Sequence, residues 1–350
     1  MTLAADRQPT DGGRRVRIGR LFHWKTWYYE AILPSLILGG PRVTSEVLSG
    51  LGRVQAALSP NWRRTVRTRI QELSATLRVD WDVDKTVDSL ASVMPRFAAR
   101  DYLVEHARGE AFDQMFEVVG SEHLAQATAE SERGVVILGS HLGSYLTGLH
   151  WLYRSGHPIR SLVQRPCHVS SRLNREFDKI GPHPQSSLFL QRDLSPSESV
   201  LRMLRARAAL QSGVSVFLMG DIPWNSPNAR LGRFLGYDRP FLSVWIDLAI
   251  LARVPVLFSF CTILPEGRYR LTFDPPWQPS AGEEAIAQAR YLGRLEGVVR
   301  ADPANAAAHL LWPCYQSPRE PDPLSCSPRP IVSRPSRRAA WTLQPNRPAA

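Results

Sequence analysis

Hydrophobic positions recur along this chain with two different periods, and the change falls near Gly134. Before it the spacing is helical. Tyr28 to Leu38 is an aromatic and aliphatic run, Val47, Leu48, Leu51, Val54 and Leu58 repeat every three or four positions, and Val66, Ile70, Leu73 and Leu77 share one face of the segment 62–77. After Gly134, short apolar runs alternate with helical stretches. Strands are predicted at Val135–Leu138, Ile159–Val163, Ser187–Leu190, Val214–Met219 and Val254–Cys261. Helices are predicted up to Tyr153 and over Ser170–Lys179, Glu198–Leu210 and Leu242–Leu251. Strands separated by helices of this length belong to β-α units. The expected fold class is therefore α/β, a mostly parallel sheet flanked by helices, with a helical N-terminal region. The expected organisation is a basic arm (1–20), a helical, membrane-interfacial region (21–130), an α/β domain (131–316) and a disordered Pro/Arg-rich tail (317–350).

Composition changes this picture little, but charge adds to it. The chain has 350 residues, 43% hydrophobic and 21% charged, which excludes collagen, coiled coil and wholesale disorder. Its net charge is +11, carried almost wholly by arginine, since Lys25, Lys85 and Lys179 are the only lysines. Such a surplus suits a phosphate- or carboxylate-rich partner: nucleic acid, an anionic membrane face or an acidic carrier protein. Its distribution narrows the choice. The arm holds +3 and the tail +4, leaving +4 for the 296 residues between. No nucleic-acid-binding motif is present, and aromatics sit among aliphatics rather than between cations, so no nucleic-acid partner is expected.

The four cysteines are far apart, and neither a C-x-x-C pair nor an H-E-x-x-H motif occurs, so no metal site and no disulfide framework is expected and a reducing cytosol fits. Residues 1–20 lack the apolar core of a signal peptide. The run Ala31–Leu38, interrupted by Pro34, falls short of the roughly 20 apolar residues that span a bilayer. Trp24, Trp27, Tyr28 and Tyr29 ahead of Ile32–Leu38, with Arg20 and Lys25 alongside, form the mix of a segment lying on a bilayer, although a core helix with a bulky face reads the same. Arg63, Arg64, Arg67 and Arg69 suit either phospholipid headgroups or a solvated helix face.

Ligands of open α/β sheets bind outside the carboxyl ends of the strands. Two such ends carry titratable groups. His141 lies in Gly139-Ser-His-Leu-Gly143 after the strand 135–138, and Asp221 in Met219-Gly-Asp-Ile-Pro-Trp224 after the strand 214–219. A histidine between glycines just past a strand suits general-base work, with an ordinary pKa near ~6.5. The same positions also read as a loop histidine satisfying carbonyls and a turn-forming aspartate before Pro223. No G-x-S-x-G elbow and no phosphate-loop ending is present. His150 and His157 read as packing or surface residues, and His309, within Ala307–Tyr315, as part of a C-terminal helix packed on the core.

Taken in order, Gly134-Val-Val-Ile-Leu-Gly-Ser-His-Leu-Gly-Ser-Tyr145, Val163-Gln-Arg-Pro166, Val216-Phe-Leu-Met-Gly-Asp221, Gly232-Arg-Phe-Leu-Gly236, Leu248-Ala249 and Pro255-Val256 resemble the late acyltransferases of lipid A biosynthesis and the related phosphatidylinositol mannoside acyltransferases. The resemblance covers about residues 120–300. It implies acyl transfer from a thioester, with His141 as the base. Arg165 and the backbone N–H groups around Leu142–Ser144, hence Gly143 and Ser144, would meet the developing negative charge. It also implies no cofactor beyond the donor, which is acyl-CoA or an acyl carrier protein, a lipid acceptor, an anionic membrane surface as partner, and peripheral attachment at the cytoplasmic side. One position departs from the pattern: five residues after His141 the family has Asp or Glu, and this chain has Leu146. Three readings stay open. Asp221 reaches His141 from the neighbouring strand end, a backbone carbonyl fixes the imidazole in a slower enzyme, or the chain is an inactive acyl- or lipid-binding relative.

Overall fold

The computed structural model describes residues 27–107, 109–129, 132–162, 196–224 and 229–315. The basic arm, the tail, Arg165, the segment 170–179 and the strand expected at 187–190 lie outside them. The chain begins in a π-turn (Tyr28–Ile32) running into α1 (Leu33–Ile37), followed by α2 (Gly40–Ala57), α3 (Pro60–Leu77), α4 (Val83–His106) and the short α5 (Glu110–Asp113). The alternating part comprises β1 (Phe116–Val119), α6 (Ser121–Ala129), β2 (Val136–Gly139), α7 (Tyr145–Arg154), β3 (Ile159–Ser161), α8 (Pro196–Gln211) and β4 (Ser215–Met219). A hairpin of β5 (Ala229–Phe234) and β6 (Tyr237–Leu242) comes next, then α9 (Val244–Ala252), β7 (Val256–Ile263), β8 (Tyr269–Phe273), α10 (Glu284–Ala301) and α11 (Ala307–Leu311).

Six strands form one sheet in the order β1-β8-β7-β2-β4-β3, and every neighbouring pair is parallel except β7 with β8. The fold is thus α/β with a mostly parallel sheet and a helical N-terminal region. Side chains of a strand alternate between faces, and here both faces are covered. Val136 and Leu138 enter a core with α3, α4, α8, α9 and α10, while Val135 and Ile137 enter a second core with α4, α6 and α7. The helical region and the sheet therefore share their cores. One expectation fails within that region, since β1 adds a strand to the sheet from a stretch that read as helical.

Helix α2 forms over the stretch where the spacing predicts a helix, and it turns most of its large aliphatics outward. Val43, Val47, Leu51 and Val54, together with Leu58 beyond its end, are exposed, and Leu48 is the one large aliphatic of the helix that is buried. Around Leu48 the buried face is made of small residues: Thr44, Ser45, Ser49, Gly52 and Ala56. Close approach to α4 is the reason. A Cβ on Gly52 would stand 2.0 Å from the Ala91 carbonyl oxygen and 2.8 Å from Pro95 Cγ. Helices that meet this closely present small residues to each other.

Candidate active site

Strand register brings the two titratable residues together. Gly139 of β2 pairs with Met219 of β4 in parallel, so the residues two positions further on, His141 and Asp221, emerge side by side. The chain leaves β2 towards β3 and leaves β4 towards β7, in opposite directions along the sheet. In open α/β sheets, ligands bind outside the carboxyl ends of strands where the chain's connections run opposite ways.

Asp221 is fully buried, and both its oxygens are engaged. Oδ1 accepts from His141 Nδ1 at 2.8 Å. Oδ2 accepts from the His141 backbone N–H at 2.6 Å and from His309 Nε2 at 2.8 Å. Burial alone would raise the Asp221 carboxyl, but the charge and hydrogen bond of His141, joined by those of His309, hold it below the usual carboxylate range. An ionised carboxylate only accepts, so the ring proton of His141 sits on Nδ1. In the neutral ring Nε2 then carries the lone pair, and it has no hydrogen-bond partner among the described residues. The rings of Tyr145 and Trp312 flank the imidazole at 4.8 and 5.3 Å.

Two phenols brace this corner from behind. Tyr291 donates to the Gly139 carbonyl at 2.7 Å and Tyr315 to the Asp221 carbonyl at 2.9 Å. Burial, with the Asp221 charge adding to it, raises both phenol groups well above their ordinary value, so they stay protonated donors. Cys261, beneath the turn, is buried and its thiol is pushed far up by that burial, which removes it as a nucleophile.

The turn itself differs from expectation. The N–H groups of Leu142, Gly143 and Ser144 were candidate donors to a substrate oxyanion. They are spent within the fold, on Ser140 Oγ, the Asn305 carbonyl and the Cys261 carbonyl. Gly143 adopts φ +53°, and a Cβ there would stand 2.3 Å from the Cys261 carbonyl oxygen, so the turn is pressed inward onto β7 and needs glycine. Ser144 is buried, with its Oγ 2.6 Å from Thr147 Oγ1. Leu146 is half-buried and packs against the second core.

The structure therefore unites His141 and Asp221. His309, Tyr291 and Tyr315 complete the site and were not read as functional in the sequence. The chain matches no family model and no curated protein.

Proposed function

We propose that this protein is an acyltransferase that moves a fatty acyl group from a thioester, acyl-CoA or an acyl carrier protein, to a hydroxyl or amine of a lipid or glycolipid acceptor at a membrane surface. The observation that carries the reading is the His141–Asp221 pair at the carboxyl ends of β2 and β4, with the proton on Nδ1 and the lone pair on Nε2. Nε2 takes the proton of the acceptor O–H as its oxygen attacks the thioester carbonyl. The tetrahedral intermediate collapses, the C–S bond breaks, and the imidazolium returns that proton to the leaving thiolate. Asp221 stabilises the imidazolium without itself becoming protonated.

The membrane reading draws on the outer face of α2. Val43, Val47, Leu51, Val54 and Leu58, spaced by four, four, three and four residues, make one exposed apolar stripe on a helix whose buried face, Leu48 apart, is made of small residues. Trp27, Ile32 and Leu38 are exposed nearby in the chain. A helix with large aliphatics outside and small residues inside suits an apolar surrounding. Among the described residues no helix is long and apolar enough to cross a membrane. The arginines of α3 contribute less than their number suggests, because Arg63, Arg67 and Arg69 pair with Asp88, Asp84 and Glu72.

A second reading, an inactive acyl- or lipid-binding relative on the same fold, is favoured by one observation: the turn's backbone donors are spent inside the fold. Incubating acyl-CoA with the full chain and vesicles of a bacterial lipid extract separates the two. The enzyme reading expects free thiol to appear with time and with protein concentration. Saturable vesicle or acyl-CoA binding without thiol release would favour the binding protein.

A further inference from the structure

His309 has a place in this site that packing does not explain. Its side chain is 1% exposed, with the rings of Phe234 and Tyr315 at 5.4 and 4.8 Å. Nε2 faces Asp221 Oδ2, and Nδ1 is buried with no hydrogen-bond partner among the described residues. An apolar side chain of similar volume would fill the space between those rings without leaving a buried acceptor bare. What only the imidazole supplies is the N–H directed at the carboxylate.

The geometry of Asp221 shows what that donor does. Of the three hydrogen bonds received by the carboxylate, two come from His141, through its ring and its own backbone N–H. The third, from His309, arrives on a different element, α11, from 88 residues further along the chain. Without it, the carboxylate is held only by the residue that it is supposed to hold. The same C-terminal segment is fastened on both sides of the pair. The Asn305 carbonyl accepts from Gly143 N–H at 2.8 Å, and Tyr315 donates to the Asp221 carbonyl at 2.9 Å.

We infer that His309 is a positioning residue: its Nε2–H locks the rotation of the Asp221 carboxylate, which in turn keeps the His141 proton on Nδ1 and Nε2 free. The inference rests on the reading of His141 as the base, and its test separates the two. Two near-isosteric variants of the full chain are compared, His309→Gln, whose amide can donate to Asp221, and His309→Met, which has no donor. In histidine-labelled protein the His141 Nδ1–H, assigned by its loss in His141→Ala, is expected as a downfield proton resonance in the wild type. It should persist in His309→Gln and be lost to solvent exchange in His309→Met. In acyl transfer, kcat of His309→Met should fall by roughly 10–100-fold, the range seen when partners that orient metal-ligating imidazoles are removed, with KM unchanged. His309→Gln should recover most of that loss. If Gln and Met variants give the same His141 resonance and exchange rate, His309 only fills space and the inference is overturned. A wild type that transfers no acyl group overturns the proposed function, while the resonance still decides the role of His309.

Discussion

Replacing Asp221 by asparagine alters the site without altering its shape. The carboxylate accepts three hydrogen bonds, from His141 Nδ1, His141 N and His309 Nε2. Asparagine keeps one acceptor oxygen and introduces an NH2 donor. If the NH2 faces His141 Nδ1, the ring must accept there, its proton moves to Nε2, and the base is lost. If it faces the other side, it meets two N–H groups, and both of those buried donors lose their acceptor. Either orientation also removes the charge that stabilises the imidazolium. The equivalent exchange in a Ser-His-Asp triad lowers turnover by ~10⁴, or about 5.4 kcal/mol of barrier.

The fold is affected as well. Breaking a buried ionic network costs about 3 kcal/mol or more, so the melting temperature should drop on the order of 10 °C. Thioester turnover is therefore measured well below both transitions, with circular dichroism confirming that both proteins are folded. The linkage has a definite sign. The Asp221 carboxyl is held below its unfolded value of about 3.9, so its contribution to stability is present above about pH 4 and is lost as the pH falls towards the folded value. The stability gap between wild type and Asp221→Asn should accordingly narrow below about pH 4. Turnover of Asp221→Asn within tenfold of wild type would refute the role given to the pair.

Further substitutions test the surrounding structure. Gly143→Ala places a Cβ 2.3 Å from the Cys261 carbonyl oxygen at φ +53°. It should lower the melting temperature by more than the backbone strain of roughly 1–3 kcal/mol would alone, and an unchanged melt would refute the inward-pressed turn. Val47→Asp with Leu51→Asp should weaken binding to neutral phosphatidylcholine vesicles at least tenfold while stability stays within about 0.5 kcal/mol per site. Equal flotation of that variant and wild type would dismiss α2 as the membrane face. Leu146→Asp supplies the carboxylate that the resembling family carries, yet Asp221 already holds His141 Nδ1. Turnover should not rise, and a clear gain would mean that Asp221 is an incomplete substitute.

The central sheet was legible because β2, β4 and β7 are buried on both faces and so read as unbroken apolar runs, within one or two residues of their observed ends. The edge strand β3 was read as well, but β1 and β8 at the opposite side were not. Phe116-Glu-Val-Val119 is short and carries a charge, and Tyr269-Arg-Leu-Thr-Phe273 alternates as one half-buried strand among loops. The β5–β6 hairpin hid behind Gly232, Pro240 and its charges, and α10 behind Gly293 and Gly297. For α2 the spacing gave the helix but not its buried face, since periodicity reports an apolar stripe and not what it faces. His141 and Asp221 could be singled out because strand ends and glycines mark them locally. His309 could not, because nothing in Ala307–Tyr315 marks a ring that only the folded chain brings to Asp221.

The most direct test of the whole account is the transfer of a chain-labelled acyl group from its coenzyme A thioester into the lipid fraction of vesicles, comparing wild type with His141→Ala. His141→Ala removes one partner of the buried Asp221 carboxylate, so the variant should melt on the order of 10 °C below wild type, and transfer is compared well below both transitions with circular dichroism confirming the fold. The account predicts labelled lipid from the wild type and none above background from His141→Ala. Labelled lipid formed at a similar rate by the folded variant would contradict it.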